Sequence, residues 1–564
     1  MGVITAGDSG LEYRGRYDPY VVQVIKQIPG RVWDPKRKVW RFPANLDVLR
    51  LLDKVPQIDI TAEARAIIQR KQEAEMMAQS VKEDDSPEPV KPMPIKVKPF
   101  AHQVKGFNIG ITLDNAGLLM EQGCGKSLTA VAIAGRRYLD GQVKRVLVVA
   151  PLSVLPVWQR EFKDYADYPH DVRVLNSSIE KRIAALAGFP DDVLQVAVIN
   201  YEAVWREEMF KALRKWHPDM IIADESQKIK GPSTKQSKGM HRLGEVAKYK
   251  LILTGTPVTA SPMDFFSQYK FLDPDIFGKS YYAFRNRYAV MGGYKNKQVV
   301  GYQNKDELIR KAHSIAYRIT KAEALDLPET VDQELYCSLE HKANQYYQEM
   351  VNFNVAQIEA ENKQGRQIIA TNVLTRLLRL QQITGGFLPR DDNSGKQIQV
   401  SSAKLNLLQD ILEDVLGAGK KVVIFARFIP EIHAIEDVAR KIAGDNSYYA
   451  ITGAVGMEDR GKAVEEFQNN PAVKICIAQI QTAGLGITLT AADTGIFYSM
   501  DFSYANYDQA KARLHRIGQQ NKVTYIHLLA QGTVDEKVYN VLKQKKSVAD
   551  DVVDNWRQYF RVEE

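Results

Sequence analysis

Residues 116–135 read AGLLMEQGCGKSLTAVAIAG, in which an apolar run, a glycine-rich turn and a helical pattern follow one another. This succession of strand, loop and helix is the context in which proteins bind phosphate groups, because the free amides at the start of a helix point at the anion. Gly123 and Gly125 let the backbone approach phosphate oxygens. Lys126 is placed to reach the outer phosphates, and the hydroxyl of Ser127 suits a magnesium ion. The stretch therefore predicts a nucleotide-phosphate loop in an α/β fold.

The loop departs from the general pattern G-x-x-x-x-G-K-[ST], because Met120 stands where that pattern has its first glycine. Cys124 lies between the two loop glycines and is expected to border the bound phosphates. A small apolar filler accounts for its side chain, and a redox-sensitive thiol is the alternative. For the loop as a whole, the alternative is a glycine-rich turn that binds nothing.

The same apolar, β-branched character recurs in two series of short runs separated by helical patterns. Runs of this kind are typical of parallel strands that are buried on both faces. The runs of the first series begin at residues 145, 196, 219 and 250, and those of the second begin at residues 421, 474, 494 and 523. Residues 262–400, between the series, show a mostly helical periodicity. We therefore expect two α/β lobes with a helical insertion.

Composition narrows the class of protein. The 564 residues suggest about three or four domains, and the 76 basic against 68 acidic residues allow a polyanionic partner. Three scattered cysteines form no disulfide framework and nine histidines form no zinc-type spacing, so we expect a reducing compartment and no structural metal. A signal-peptide pattern and a run of about 18 apolar residues are both missing. We expect a protein of the cytoplasm of a bacterium or virus-infected cell, or of the nucleus in a eukaryote, without a membrane partner.

Changes in composition divide the chain into four predicted parts. These are a small aromatic and basic domain at 1–60, a helix and proline-rich linker at 61–97, a first lobe at 98–330, and a second lobe at 331–564 that begins with the helical insertion. Residues 80–99 contain five prolines and many charges, which predicts an extended spacer.

A second chemical signal follows the apolar run at residue 219, in the sequence IIADESQKIK. At the end of this predicted strand, Asp224 would hold Mg²⁺ together with Ser127, and Glu225 would activate the attacking water. Acidic pairs at strand ends are common, but an acidic pair and a phosphate loop in one lobe indicate nucleotide hydrolysis. ATP and Mg²⁺ are the expected cofactors.

The order of motifs resembles the superfamily 2 helicase-like ATPases and, within them, the Swi/Snf-type branch. The segments that carry the resemblance in the first lobe are PLSVLPVWQREF from residue 151, DESQ from 224 and LTGTP from 253. The branch implies two RecA-like parallel-sheet lobes, and it normally has an acidic residue, not glycine, at the position of Met120. Further departures are Ser127 in place of threonine, which keeps the metal-binding hydroxyl, and DESQ in place of the commoner DExH.

Two further segments of the resemblance concern the nucleotide. KPFAHQVKGFNIG resembles the family's Q-motif region, which implies that Gln103 reads the adenine edge, and an exposed helix glutamine is the alternative. YDQAKARLHRIGQ is similar to motif VI of the Swi/Snf type, which implies that Arg513 and Arg516 act as arginine fingers with Gln509 beside them. A basic helix face is the alternative for this segment.

The same family implies contacts to nucleic acid. QIQTAGLGITLTAAD resembles motif V, in which Thr482 would contact a phosphate while Gly484 and Gly486 allow a close backbone approach. IFARF, around Arg427, resembles motif IV. Swi/Snf-type members track duplex DNA by phosphate contacts, which predicts a strong dependence of binding on salt. The resemblance extends over about residues 98–550.

The N-terminal part resembles a second family. In YDPYVVQVIKQIPGRVWDPKRKVWRFP, cations interleave with tryptophans, a mixture suited to phosphates and stacked bases, with Lys36, Arg37 and Trp40 as candidate contacts. The stretch is similar to the HARP region of annealing helicases, which implies recognition of branched or forked DNA. The alternative is a small β-hairpin with Trp40 and Phe42 in its core and a solvated basic turn.

Together the resemblances imply a DNA-dependent ATPase that translocates on duplex DNA and rewinds or remodels branched or forked structures in replication or repair. A translocase that displaces bound protein, such as a stalled RNA polymerase, is a second hypothesis. A catalytically inert DNA-binding scaffold is a third, which is disfavoured because every candidate catalytic residue is present. These residues are Lys126, Asp224, Glu225, Arg513 and Arg516.

Overall fold

The computed structural model describes most of the chain and divides it into two units. The described residues are 2–7, 10–28, 31–44, 46–53, 55–56, 58–258, 261–292, 298–324, 328–351, 370–389, 397–485, 487–540 and 542–543. The units separate between Thr320 and Lys321. This separation comes before the predicted lobe boundary at residue 330, because the first sheet takes its last strand at Ala316–Ile319 and the next strand already pairs within the second unit.

A small domain of mixed sheet and helix opens the first unit. Its strands are β1 Gly2–Gly7, β2 Gly10–Arg14, β3 Val32–Asp34, β4 Val39–Phe42 and β5 Ile58–Ile60, and its helices are Pro19–Ile25 and Leu46–Leu52. The sheet order is β3-β4-β2-β1-β5, antiparallel except for the β1–β5 pair. Ile4, Leu11 and Phe42 turn inward from the sheet and pack with Val21 and Ile25 of the first helix. The predicted α+β N-terminal domain is confirmed.

The helix Ala62–Glu83 connects this domain to the first lobe, which follows it in the chain. At its start, Ile68 is buried in the core of the N-terminal domain. Near its end, the buried ammonium of Lys82 donates to the carbonyl oxygen of His313 at 2.5 Å. Burial lowers the pKa of Lys82 to about 8. The helix is therefore fixed at both ends.

Residues 84–100 contain no helix, as their prolines predict, but they do not form a free spacer. The amide of Val90 donates to Asn108 Oδ1 at 3.0 Å, and the amide of Lys96 donates to the carbonyl of Tyr165 at 2.9 Å. The expectation of an extended spacer did not include this docking. Polar backbone groups of the linker find their partners on the surface of the first lobe and so hold the linker against it.

The first lobe is built on a parallel seven-stranded sheet of order β14-β6-β11-β10-β7-β9-β8. Its strands are β6 Asn115–Met120, β7 Arg145–Ala150, β8 His170–Val174, β9 Leu194–Asn200, β10 Met220–Asp224, β11 Tyr249–Leu253 and β14 Ala316–Ile319. A hairpin of β12 Ala289–Gly292 and β13 Gln298–Tyr302 lies between the last two. The central strands are buried on both faces, which explains their continuous apolar sequences.

Helices cover this sheet and form the insertion before its last strand. They are Ala101–Thr112, Lys126–Leu139, Leu155–Tyr165, Ile179–Ala187, Tyr201–Val204, Glu207–Trp216, Lys235–Gly244, Asp264–Leu272, Pro274–Phe277, Tyr281–Tyr288 and Lys305–Ser314, with short 3₁₀ helices at Leu152–Val154 and Ser226–Ile229. Within the described residues, no helix is long and apolar enough to cross a membrane.

The second unit is built on a parallel six-stranded sheet of order β15-β22-β21-β18-β20-β19. Its strands are β15 Thr330–Cys337, β18 Val422–Ala426, β19 Tyr448–Ile451, β20 Ile475–Gln479, β21 Thr494–Phe497 and β22 Val523–Ala530, and a separate hairpin joins β16 Phe387–Pro389 to β17 Gln397–Gln399. Its helices are Lys321–Ala324, Ala370–Thr384, Ala403–Gly417, Ile429–Ala443, Met457–Asn469 and Tyr504–Leu514, with a 3₁₀ helix at Ile480–Leu485. The predicted fold class, two RecA-like parallel-sheet lobes with helical insertions, is confirmed.

Candidate functional site

The phosphate-loop segment joins the buried strand β6 to the helix Lys126–Leu139. Gly123 has a backbone φ of 90° and Gly125 a φ of 82°, conformations that other residues rarely adopt. A Cβ added to Gly125 would also overlap the side-chain amide of Gln103. Both glycines are therefore required by the turn, which leaves the amides at the start of the helix open to an anion.

Lys126 is the first residue of this helix, and its side chain folds back over the loop. Its ammonium donates to the carbonyl oxygens of Met120, at 2.9 Å, and Glu121, at 3.3 Å. Lys126 is only 8% exposed, so a largely buried cation faces the loop from within. A phosphate group suits a buried ammonium at a helix N-terminus, and the loop thus fits the phosphates of a nucleotide.

The side chains of His102 and Gln103 hold the phosphate loop by hydrogen bonds to its backbone. The carbonyl of Cys124 accepts hydrogen bonds from His102 Nε2 at 2.8 Å and from Gln103 Nε2 at 3.3 Å, and Gln103 Oε1 accepts from the amide of Phe100 at 3.0 Å. Gln103 is 3% exposed, so it is not the exposed helix glutamine of the alternative interpretation. Its contact with adenine stays a prediction. The thiol of Cys124 is fully buried, as expected of a small apolar filler.

Asp224 ends the buried strand β10, and both of its carboxylate oxygens are held. Trp158 Nε1 donates to Oδ2 at 3.0 Å, and the amide of Glu225 donates to Oδ1 at 2.9 Å. Burial, and then the neighbouring charge of Glu225, raises the pKa of Asp224 to about 7, while the Trp158 hydrogen bond and Lys126 act in the opposite direction. A carboxylate in this environment is stabilised by a nearby cation, which is what a magnesium ion provides.

Glu225 has a left-handed backbone, with a φ of 50°, and two side-chain amides hold its carboxylate. Gln122 Nε2 donates to Oε1 at 2.9 Å, and Gln227 Nε2 donates to Oε2 at 2.6 Å. We call Gln122 and Gln227 the amide clamp. Gln227 Oε1 accepts in turn from the hydroxyl of Thr254 at 2.8 Å. The clamp therefore connects the candidate catalytic base with the phosphate loop and with the LTGTP segment.

The LTGTP segment also packs directly on the phosphate loop. A Cβ added to Gly255 would come 3.1 Å from the backbone nitrogen of Gln122, so the close approach depends on glycine. Sequence reasoning did not single out four side chains of this site, although all lie within the motifs it used. They are Gln122, Trp158, Gln227 and Thr254.

Asp224 and Ser127 are the residues that would hold a magnesium ion. Ser127 is half-buried on the first turn of the helix that follows the loop. Mg²⁺ takes few protein oxygens and keeps waters and substrate phosphates as its other ligands, so one carboxylate and one hydroxyl fit it. Among the described residues, no group of three or more His, Cys, Asp or Glu side chains is arranged to hold a metal.

The predicted arginine fingers lie in the second unit. Arg513 is 7% exposed near the end of the helix Tyr504–Leu514, and Arg516 is half-buried just beyond it. Gln509 is half-buried in the middle of the same helix. Because these residues and the phosphate loop belong to different units, their contact with the nucleotide stays a prediction.

Two predicted nucleic-acid contacts in the second unit are engaged within their own lobe. Arg427 Nη1 donates to Gln381 Oε1 at 2.7 Å, and the Thr482 hydroxyl lies 2.7 Å from the carbonyl oxygen of Gln479. Gly484 belongs to a 3₁₀ helix. Gly486 lies outside the described residues. None of these positions contradicts a phosphate contact, but Arg427 and Thr482 would have to exchange partners to make one.

The N-terminal candidates lie on the β3–β4 hairpin, whose turn is exposed. Arg37 forms two hydrogen bonds of 2.8 Å with the carboxylate of Glu12, so its charge is already paired. Lys36 is exposed at the turn. Trp40 is half-buried and pairs with Trp33 across the hairpin, with ring centroids 5.2 Å apart. The hairpin of the alternative interpretation is present, and the contacts of these side chains with nucleic acid stay predictions.

Comparison with known proteins gives two family matches and several relatives. Residues 72–385 match the SNF2-related domain, and residues 403–518 match the helicase conserved C-terminal domain. Chromodomain-helicase-DNA-binding protein 1-like of Mus musculus is 28% identical over 77% of this chain and 47% of its own length. DNA annealing helicase and endonuclease ZRANB3 of Bos taurus is 24% identical over 84% of this chain and 42% of its own length. The chain thus spans less than half the length of these two relatives.

A solved structure, the Sulfolobus solfataricus SWI2/SNF2 ATPase core in complex with dsDNA, is 26% identical and covers 85% of this chain and 100% of that chain, with a TM-score of 0.39. The match to the SNF2-related domain alone takes in more than half of the residues and includes the phosphate loop, the acidic pair and the amide clamp. The chain belongs to the SNF2 family of helicase-like ATPases.

Proposed function

We propose that this chain is a DNA-dependent ATPase that translocates along duplex DNA. One observation carries the proposal: Lys126, Asp224 and Glu225 meet in a single site of the first lobe, and the chain holds each functional group in place. A scaffold that only binds DNA has no use for a buried Asp224 and a clamped Glu225 beside a phosphate loop. Membership in the SNF2 family supports the same reaction.

In the proposed reaction, ATP supplies the phosphoanhydride bond and Mg²⁺ the charge that neutralises its outer phosphates. The ammonium of Lys126 would leave the loop carbonyls and donate to phosphate oxygens. Glu225 would accept the proton of the attacking water, while the amide clamp fixes both oxygens of its carboxylate. Arg513 and Arg516 of the second unit would supply the positive charge that is worth about 10³–10⁵ in rate in related phosphoryl-transfer systems.

The finer proposal is that the DNA is branched or forked and that the protein rewinds or remodels it. The name of the bovine relative, which is 24% identical, includes annealing-helicase activity, and this supports the choice. An N-terminal domain that carries cations beside tryptophans gives the chain a second surface suited to nucleic acid.

The test is a comparison of nucleic-acid cofactors. ATP hydrolysis is measured with blunt duplex, forked duplex, single-stranded DNA and RNA at equal nucleotide concentrations. We expect duplex and forked DNA to stimulate hydrolysis most, and stimulation to fall steeply with salt because binding rests on phosphate contacts. A larger response to RNA, or no response to any nucleic acid, would overturn the proposal.

A further inference from the structure

A cavity of about 870 Å³ separates the N-terminal domain from the helical insertion of the first lobe, within the first unit. We call it the arm cleft. Its lining includes Lys26, Arg31 and Trp40 from the N-terminal domain and Lys279, Arg287 and Arg310 from the insertion. The cleft lies outside the phosphate loop and shares no residue with it.

The charge of the cleft is strongly positive. Its lining carries the four cations Lys26, Arg31, Lys279 and Arg310 together with Arg287 and Lys311, against the acids Asp275 and Glu307. Each acid is already neutralised. Asp275 pairs with Lys71 at 3.2 Å, and Glu307 accepts from Arg287 Nε at 2.9 Å and from the hydroxyl of Tyr288 at 2.8 Å.

Glu307 remains ionised in this arrangement. Burial alone would raise its pKa, but the hydrogen bonds from Arg287 and Tyr288 lower the pKa of Glu307 to about 2. The carboxylate therefore stays committed to Arg287 at neutral pH. It does not compensate the remaining cations of the cleft.

Those remaining cations are Lys26, Arg31, Lys279 and Arg310. All four are exposed, and within the described part of the chain none lies within 4.0 Å of a carboxylate, although the charge of Lys279 acts on Asp275 from a greater distance. Arg31 donates to a neutral partner, the carbonyl of Ile28, at 3.1 Å. A polyanion that enters the cleft would find four cations available without breaking an existing ion pair.

Aromatic and apolar side chains line the same space. Trp40 contributes a half-buried ring whose centroid lies 5.2 Å from that of Trp33. Phe277 contributes from the insertion, where it packs on Phe284 with ring centroids 5.1 Å apart. A positive groove that also offers aromatic faces is the usual arrangement for single-stranded nucleic acid, because unpaired bases can stack. A cavity of about 870 Å³ is the size of a small-ligand site, which suits a short segment of single strand.

The walls of the cleft are held at a fixed separation. The ion pair of Lys71 with Asp275 ties the helix Ala62–Glu83 to the insertion, and Lys82 on that helix donates to His313. The same helix is buried in the core of the N-terminal domain through Ala64. A strand would therefore bind to a preformed site and would not have to order it.

We propose that the arm cleft binds a short length of unpaired DNA strand, with phosphates on Lys26, Arg31, Lys279 and Arg310 and a base on Trp40. This inference rests on the proposed function, since it names where the unpaired arm of a branched substrate would be held. It also moves the principal contact of the N-terminal domain from the hairpin turn at Lys36 and Arg37 to the residues of that domain that line the cleft.

The test uses the full chain with the double variant Lys279→Ala/Arg310→Ala, because both side chains are exposed and neither supports the fold. Removal of the N-terminal residues is less informative, since it would also expose Ala64 and Ile68, which the helix Ala62–Glu83 buries in the core of that domain. The matched control is Lys181→Ala/Lys215→Ala, which removes two exposed cations elsewhere on the first lobe. Equilibrium binding is measured without ATP, for a blunt duplex and for the same duplex with a single-stranded arm, over a range of salt.

We expect the cleft variant to bind the armed duplex at least about tenfold more weakly, with its salt slope reduced by about 1.4, as two lost single-strand phosphate contacts predict. Blunt-duplex affinity should not change, and the control should match the wild type. Unchanged affinity for the armed duplex, or an equal loss for the blunt duplex, would overturn the inference. Because binding is measured without ATP, the result tests the cleft separately from the proposed ATP hydrolysis.

Discussion

The phosphate-loop site of the first unit and the predicted DNA-contacting segments of the second unit differ in how their polar groups are used. In the first, Gln122 and Gln227 donate to the side chain of Glu225, so one functional group positions another. In the second unit, Arg427 and Thr482 form hydrogen bonds with neighbours in the same lobe. A polar residue inside a motif can therefore serve the chemistry or the local fold, and only the contacts tell which.

The sharpest test of the first site is Lys126→Ala, which removes the only side-chain cation of the phosphate loop. We expect DNA-stimulated ATP hydrolysis to fall by at least about 10³, because phosphoryl transfer depends on charge at the outer phosphates. Steady-state hydrolysis with saturating DNA measures the loss. Lys215→Ala, an exposed lysine of the same lobe, is the control and should retain full activity. Substantial activity in the Lys126 variant would refute the assignment of the loop.

The corresponding test of the second unit is Arg516→Ala. If the arginine acts as a finger, hydrolysis should fall by about 10³ while ATP binding is preserved, since the charge matters most in the transition state. Hydrolysis and the affinity for a fluorescent ATP analogue are measured together, with the exposed Lys462→Ala as control. A normal rate of ATP hydrolysis in this variant would contradict the finger role of Arg516 and favour the alternative, a basic helix face.

The amide clamp is tested by Gln122→Met, which keeps the length of the side chain and removes one of the two donors to Glu225. A hydrogen bond to a charged group is worth about 1.5–3 kcal/mol, so kcat should fall by about tenfold or more. KM for ATP should change little, because the clamp touches the base and not the loop cation. Rescue is expected from Gln122→Asn only in part, since its amide is one methylene shorter. A rise of similar size in KM for ATP would instead indicate that the phosphate loop is damaged.

A smaller effect is expected from Trp158→Phe, which removes the indole donor from Asp224. Hydrolysis at subsaturating Mg²⁺ requires the ionised carboxylate, so it should decline as the pH falls through about 7. Without the indole hydrogen bond the pKa of Asp224 rises further, and the decline should move to higher pH by about one pH unit.

Trp216→Phe is the matched control for this pH profile. Trp216 is also buried in the first lobe, and its Nε1 has no hydrogen-bond partner among the described residues, so its loss costs packing alone. Its profile should coincide with that of the wild type. A profile of Trp158→Phe that also coincides would show that Asp224 does not limit hydrolysis at low pH.

The smallest effect is expected from Ser127→Thr, which restores the residue usual in the Swi/Snf branch. Both side chains present a hydroxyl to the metal, so kcat and the Mg²⁺ dependence should stay within about twofold of the wild type. Ser127→Ala is the contrasting variant and should raise the Mg²⁺ requirement. Equal behaviour of the threonine and alanine variants would remove Ser127 from the metal site.

Sequence predicted the central strands and the catalytic motifs because both leave local signatures. Strands β6, β7, β10 and β11 are buried on both faces and read as unbroken apolar runs. The edge strands β8, β14, β15 and β19 were not predicted. β8, β15 and β19 are only partly buried, and β14 and β15 fall in the stretch expected to be mostly helical.

The finer chemistry of the site depends on contacts between distant residues, which no single segment encodes. The bond from Gln122 to Glu225 joins positions about a hundred residues apart, and the arm cleft joins the N-terminal domain to the insertion. Composition pointed to the basic turn at Lys36 and Arg37, but Glu12 already pairs with Arg37. Which cations remain available is settled by the fold.

The docked linker bears on whether the N-terminal domain has a free or a fixed position relative to the first lobe. A free tether would let that domain sample many positions, and its contribution would follow the effective concentration set by linker length. Here Val90 and Lys96 are hydrogen-bonded to the first lobe. The helix before them is buried in the N-terminal domain at Ile68 and bonded to the lobe at Lys82, so the domain keeps one distance and one direction from the ATP-binding core. If the domain binds nucleic acid as proposed, it would discriminate substrates by shape, because it would add avidity only for a nucleic acid whose arms diverge at the angle that the protein already presents.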